Sequence, residues 1–256
     1  VFDTHTHCDF STDSHMKLPE AMAAAAKAGI GLIVTEHWDY EYPDPTQFVF
    51  DRDEYFRRDG FSRSEQVLLG IEVGMQPHLA AKENLVPEGY PFDYVIGSLH
   101  FVHKSDMYNQ TTYQGLTKSQ VEEAFLADAL ACVRSHDNFD SFGHIDYICR
   151  YWPYQDKNLY LADHKEIYAQ IFETLIAKEK PLEINTRRFE DASVLPPLLE
   201  LYKFYQELGG KYCTLGSDSH YPEHVGRNLK LAAQLAEACK LTPVYFKGRR
   251  MYQDKI

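Results

Sequence analysis

Short apolar, β-branched runs recur along the chain, and segments with helical spacing of apolar residues separate most of them. Ile30-Gly31-Leu32-Ile33-Val34-Thr35 has the unbroken apolar character of a strand covered on both faces. The runs Val67–Gly74, Asp93–His100 and Tyr212–Gly216 share it. Phe2–Thr6, Phe139–His144 and Pro181–Thr186 read as shorter strands, and Val244-Tyr245-Phe246 as a last one. Glu20–Ala28 is Ala-rich and helical, with Pro19 in its first turn and Gly29 as its stop. Thr117 and Gln120 form a capping-box signal for a helix running to about Ser135. Ile167, Ile171 and Leu175 give 163–180 one apolar stripe. Further helices are expected around 52–64, 77–85, 192–208 and 222–239.

Strand and helix thus alternate seven times, the pattern of a parallel α/β fold. No Gly-x-Gly-x-x-Gly follows any strand, so a dinucleotide fold is disfavoured. The expectation is one domain over 1–256, a closed barrel of about seven strand–helix units. In such barrels functional side chains gather at the C-terminal ends of the strands.

Composition narrows the partners. The formal charge of −12 lacks the basic footprint that nucleic-acid binding needs. Five scattered cysteines, Cys8, Cys132, Cys149, Cys213 and Cys239, form no CxxC pair and suggest reduced thiols rather than a disulfide framework. No apolar run approaches the ~18 residues of a membrane span, and no signal peptide is visible. The cytoplasm is the expected location.

The histidines change the picture most. His5 and His7, two apart, share one face of the first strand. Alone, such a pair is weak evidence. Of 12 histidines, however, His5, His7, His15, His37, His100, His144 and His220 all fall at or just after expected strand ends. Glu72 sits inside an apolar strand, where a carboxylate is costly unless paired or metal-bound, and Asp218 follows the seventh strand. Imidazole with carboxylate suits zinc, manganese or iron, and these nine side chains suffice for three ions. His78, His103, His136, His164 and His224 fit the pattern less well, and His136, His164 and His224 read as ordinary structural histidines.

The ordered series His-x-His, Asp-Ser-His, Thr-Glu-His, a strand Glu, Ser-Leu-His, Gly-His-Ile-Asp and Ser-Asp-Ser-His spans almost the whole chain. It resembles the PHP (polymerase and histidinol phosphatase) superfamily. Thr12-Asp13-Ser14-His15, Thr35-Glu36-His37, Gly97-Ser98-Leu99-His100 and Leu182-Glu183-Ile184-Asn185 are most similar to its stand-alone histidinol-phosphatase branch. The resemblance implies a distorted (β/α)7 barrel with a trinuclear metal centre. It implies that His5, His7, Glu72 and Asp218 hold one ion, and that Glu72 bridges to a second held also by His100 and His144. His15, His37 and His220 would hold the third.

The implied reaction is hydrolysis of a phosphomonoester, L-histidinol phosphate in histidine biosynthesis, by a hydroxide bridging the metals. Arg150 and Arg187, near strand ends, are the best phosphate clamps, because a guanidinium grips phosphate with two parallel donors. Arg188 should point the other way. His103, Asp106 and Tyr108 follow His100 and could face the substrate's ammonium or imidazole. Asp218, His220 or water are candidates to protonate the leaving alkoxide. Two other readings stay open: a PHP phosphoesterase for a nucleotide or another small phosphate, and a non-catalytic metal-binding domain.

Overall fold

In the computed structural model, which describes residues 1–255, every expected strand forms. The strands are β1 (Phe2–Thr6), β2 (Gly31–Asp39), β3 (Val67–Gly74), β4 (Tyr94–Ser98), β5 (Phe101–Val102), β6 (Ser105–Asp106), β7 (Ser141–Phe142), β8 (Leu182–Asn185), β9 (Tyr212–Gly216), β10 (Thr242–Lys247) and β11 (Arg250–Gln253). The helices are α1 (Leu18–Ala28), α2 (Arg52–Asp59), α3 (Ala80–Glu83), α4 (Lys118–Ser135), α5 (Lys165–Ala177), α6 (Leu195–Glu207) and α7 (Leu229–Ala238).

Nine strands form one sheet in the order β1-β2-β3-β4-β7-β8-β9-β10-β11. All neighbours are parallel except the β10–β11 pair. Beyond β9 the chain also reaches β1. His7 N–H donates to the Ser219 carbonyl at 2.8 Å, and Asp218 N–H to the His5 carbonyl at 2.8 Å. Two pieces escape the sequence pattern. One is the β5–β6 hairpin, whose turn residues His103 and Lys104 both adopt positive φ (48° and 66°). The other is β11, which follows the last strand that the sequence pattern marks.

Capping follows the sequence signals. Thr117 accepts from Gln120 N–H while Gln120 reaches back to the Thr117 backbone, and Gly29 closes α1 in the left-handed conformation.

The alternation of side chains across the sheet decides where the chemistry sits. Leu32, Val34, Leu69, Ile71, Val73 and Val95 face the helices in the large core. The opposite face is apolar at the strand starts, where Phe2, Ile33, Leu68, Tyr94 and Ile96 pack with Val244 and Phe246. Continuing along that face by steps of two leads from Ile33 to His37, from Leu68 to Glu72 and from Ile96 to His100. One face of one sheet is therefore oil at the start of its strands and metal-binding chemistry at their ends.

Candidate metal centre

Most members of the site are placed by strand ends. His5 lies in β1 and His7 just beyond it. His37 in β2 stands beside Glu72 in β3, in register. His100 and His144 follow β4 and β7 by two residues, and Asp218 follows β9 by two. The Asp218 backbone turns to φ 55°, and Asp3 anchors the same loop by accepting from Ser217 N–H at 2.9 Å and Gly226 N–H at 2.7 Å.

Glu72 is fully buried in the middle of the group. One of its oxygens, Oε2, lies 3.3 Å from His5 Nε2, 3.4 Å from His7 Nε2 and 3.0 Å from His37 Nδ1. The other, Oε1, lies 3.3 Å from His100 Nε2 and 2.8 Å from His144 Nε2. Asp218 Oδ1 is 3.5 Å from His7 Nε2. Metal–nitrogen and metal–oxygen bonds of ~2.0–2.1 Å in a tetrahedral site separate neighbouring ligand atoms by about 3.3 Å. The gaps between these groups match that spacing.

The buried nitrogens His5 Nε2, His7 Nε2, His37 Nδ1 and His100 Nε2, with Glu72 Oε2, find no hydrogen-bond partner among the described residues. Buried polar atoms are rarely left so, and several converging on one carboxylate fit a bound cation. The donor set therefore fits divalent metal. Ligand atoms cluster within 4.8 Å of one another in His5, His144 and Asp218, in His5, His7 and Glu72, in Glu72, His100 and His144, and in His7, His37 and His220.

Charge tells the same story. Burial disfavours charge on Glu72, yet His5, His100 and His37 hold its carboxyl well below the ordinary range. Burial works against protonated His5 and His37, but the facing carboxylates outweigh it and raise both. His100 is likewise pushed up to about 10 by Asp39 and Glu72, against burial. These carboxylates demand positive charge, which a metal would supply in place of protons.

A second layer fixes the imidazoles. Asp39 Oδ1 holds His100 Nδ1 at 2.7 Å. A Cβ at Gly74 would overlap the Asp39 carboxylate, so only glycine leaves it room there. His7 Nδ1 meets Ser11 Oγ at 3.2 Å, and Ser11 in turn donates to Glu36 at 2.5 Å. Burial pushes the Glu36 carboxyl up to about 7.

Most expected ligands converge, and one does not. His15 is exposed and outside the cluster. Ser14 donates to the carbonyls of His7 and His220, which pins the loop, and the chain leaves the site immediately afterwards. Asp13 stands there instead, with Oδ2 3.0 Å from His220 Nε2 and Oδ1 3.6 Å from His37 Nε2. Partial desolvation works against its charge, yet His37 and His220 hold its carboxyl far below the ordinary range. The loop has no strand period by which the sequence could tell which of Asp13 and His15 faces inward.

The arginines reach the same place. Arg150 is buried, with Nη1 2.7 Å from Asp218 Oδ2 and Nη2 3.0 Å from Asn185 Oδ1. Its guanidinium lies over the Tyr147 ring at 4.9 Å. Arg187 Nη1 donates to the Asp218 carbonyl at 2.5 Å and stands 2.8 Å from His220 Nδ1. Arg188 turns away to Asp146 at 2.6 Å, as expected.

Above the cluster opens a cavity of about 310 Å3, at the small end of ligand pockets. Arg187, Asp106 and Tyr108 line it among aromatic side chains such as Tyr42, Tyr147 and Tyr151. His103 does not line it. The hairpin turn carries His103 outward, where it is 70% exposed and faces Asp128 at 3.5 Å.

Residues 3–187 match the family model of the PHP domain. The chain therefore belongs to the PHP domain family. Three of its relatives are named histidinol-phosphatases or probable histidinol-phosphatases. The chain is 43% identical to "Probable histidinol-phosphatase" of Clostridium acetobutylicum over 98% of each chain. It is 35% identical to the histidinol-phosphatase of Lactococcus lactis subsp. lactis over 85% of this chain and 83% of that one. The crystal structure of the L. lactis histidinol phosphate phosphatase, complexed with zinc, L-histidinol and phosphate, superposes with a TM-score of 0.91 at 32% identity. That match covers 99% of this chain and 98% of the other. A structure from Listeria monocytogenes at 17% identity and TM-score 0.74 shares the fold.

Proposed function

We propose that the chain is a histidinol-phosphatase that hydrolyses L-histidinol phosphate at a centre of three divalent ions, zinc, manganese or iron. The observation that carries the reading is the buried Glu72 carboxylate at the meeting point of five imidazoles. His5, His7, Glu72 and Asp218 would hold one ion, and Glu72, His100 and His144 a second. Asp13, His37 and His220 would hold the third, Asp13 replacing His15. When bound, such ions polarise the phosphoryl group and lower the pKa of water so that hydroxide is available at neutral pH.

The chain's own groups do the rest. Arg150 and Arg187 clamp the phosphoryl oxygens and offset the charge that grows on them during transfer. Asp218 is held ionised by Arg150 and His5 against its burial, so it accepts rather than donates and is a poor acid for the leaving alkoxide. Asp106 and Tyr108 take the cationic end of the substrate. Asp106 places a carboxylate among aromatic rings, a setting that favours an ammonium or imidazolium. Phosphate at the arginines and cation at Asp106 together select a small phosphorylated amine over a nucleotide or nucleic acid.

The same reading takes 1–256 as one domain whose sheet closes into a distorted (β/α)7 barrel. The parallel bridge between Thr6 and Ser219 supports closure between β1 and the end of β9. Five free, buried thiols support a reducing, cytoplasmic setting.

The test is steady-state phosphate release from L-histidinol phosphate beside nucleotides and sugar phosphates, on protein of assayed metal content. Preference for histidinol phosphate with about three metals per chain is expected. Full metal with turnover only of another phosphate would keep the chemistry and discard the substrate. Full metal with no turnover would leave a binding domain.

A further inference from the structure

Of the seven parallel strands that lead to the centre, β8 alone supplies no proposed ligand. Its two inward residues are nevertheless Glu183 and Asn185, both buried. Glu183 Oε1 sits 2.7 Å from His5 Nδ1, and its Oε2 accepts the His144 backbone N–H at 2.7 Å. Asn185 Nδ2 donates to Glu183 Oε2 at 3.2 Å and reaches Asp218 Oδ2 at 3.4 Å. Its Oδ1 accepts from Arg150 Nη2 at 3.0 Å and from Arg187 N–H at 3.1 Å. The strand without a ligand thus touches ligands brought by three other strands, and both arginines.

We infer that Glu183, supported by Asn185, is the positioning residue of this centre, holding His5 as the Nδ1–H tautomer and fixing where His144 begins. The inference rests on the metal-centre reading above. A histidine that donates Nδ1–H keeps its Nε2 lone pair free, and His5 Nε2 is the atom left unpartnered toward Glu72. Because Glu183 grips a side chain from β1 and a backbone amide after β7, one carboxylate sets the separation of two ligands meeting at Glu72.

The surroundings are built for this contact. A Cβ at Gly216 would lie 2.2 Å from Glu183 Oε1 and 2.5 Å from His5 Cβ. Glycine is required at 216 for the two side chains to meet. Tyr202 Oη donates to the Glu183 carbonyl at 2.6 Å and fixes the strand from behind. A carboxylate wanted only for folding would not need both oxygens turned onto metal ligands.

The experiment compares wild type and Glu183→Gln by zinc competition against a chromogenic chelator, and by the visible spectrum of the cobalt-loaded proteins. Glutamine keeps the size but removes the charge that draws the Nδ1 proton. Zinc affinity should fall about 10- to 100-fold, as for other partners behind a ligating histidine, and the cobalt bands should shift. Activity should return at high metal. A folded Glu183→Gln protein with wild-type zinc affinity and cobalt spectrum overturns the proposal while leaving the metal centre intact. Wild type that takes up no metal overturns both. Should the variant not fold, nitrogen-15 NMR of zinc-loaded wild type decides. His5 protonated at Nδ1 supports the proposal, and His5 protonated at Nε2 refutes it.

Discussion

Replacing Asp13 by asparagine tests the proposed ligand that takes the place expected of His15. Asp13 lies 3.0 Å from His220 and 3.6 Å from His37, and its side chain is 41% exposed. Because it is exposed, losing its charge should alter the stability of the metal-free protein by less than about 1 kcal/mol. The effect on metal should be much larger. Groups that only support a ligand contribute 10- to 100-fold to metal affinity, so exchanging a direct ligand for a neutral amide should exceed the upper end. That is a loss of at least about 2.7 kcal/mol, a factor of about 100. The assay is metal content by mass spectrometry after dialysis against buffered zinc, with kcat/KM on L-histidinol phosphate. Asp13→Asn should lose one ion and about 100-fold in kcat/KM, and His15→Ala, run in parallel, should lose neither. Full metal in Asp13→Asn together with a missing ion in His15→Ala would refute the placement.

Three further outcomes are expected. Arg150→Ala and Arg187→Ala should each lower kcat/KM by about 10²–10³, the loss of one preorganised donor to a developing oxyanion; unchanged kcat/KM removes that arginine from the clamp. His136→Ala should leave metal and activity intact but destabilise the fold by about 2–3 kcal/mol, because it takes from the buried Glu83 the partner held at 2.7 Å and leaves it the Gln76 N–H. Thermal unfolding should fall by roughly 4–12 °C, and an unchanged Tm shows that the pair contributes nothing. Metal loading should release protons at pH 7. Carboxylates raise His5, His37 and His100, the last to about 10, so all three carry protons without metal. Coordination needs neutral imidazole, so affinity should rise as pH climbs from the ordinary histidine value toward the raised ones. Calorimetric zinc titrations in buffers of different ionisation enthalpy measure the release, and none would refute the charge assignment.

The elements were legible because burial on both faces writes strands as unbroken apolar runs. Ile33, Leu68 and Ile96 announce the sheet, and His37, Glu72 and His100 lie on the same period of two. The single acidic residue in Val67–Gly74 was conspicuous because an apolar strand has no other reason to hold it. Glu183 carried the same signal in 181–186, but it came with no adjacent histidine, and its partner His5 is 178 residues away. Asp39 lies two residues beyond His37 and could have been found by that spacing. Asp13 and His103 could not be placed, because loops and hairpin turns have no side-chain period. His103 is turned outward by a positive φ of 48° that no neighbouring glycine signals.

The centre also explains how an acidic chain tolerates such a core. Asp39, Glu72, Glu183 and Asp218 are all buried, beside the buried imidazoles of His5, His7, His37, His100, His144 and His220. Arg150, paired to Asp218, cannot balance so many carboxylates by itself. Protons on histidine balance part of the remainder, but His7 and His144 are driven toward the neutral form, chiefly by burial. Divalent ions would resolve the conflict, since they neutralise carboxylates while leaving every imidazole neutral. Binding that needs the folded arrangement also stabilises it, by about 4 kcal/mol per site at a thousandfold excess over Kd. The proposed ligands come from strands spread over the sequence from His5 to His220, so one set of ions would tie β1, β2, β3, β4, β7 and β9 together at their ends. On the proposed function, the side chains that serve catalysis would also be those that hold the strand ends together.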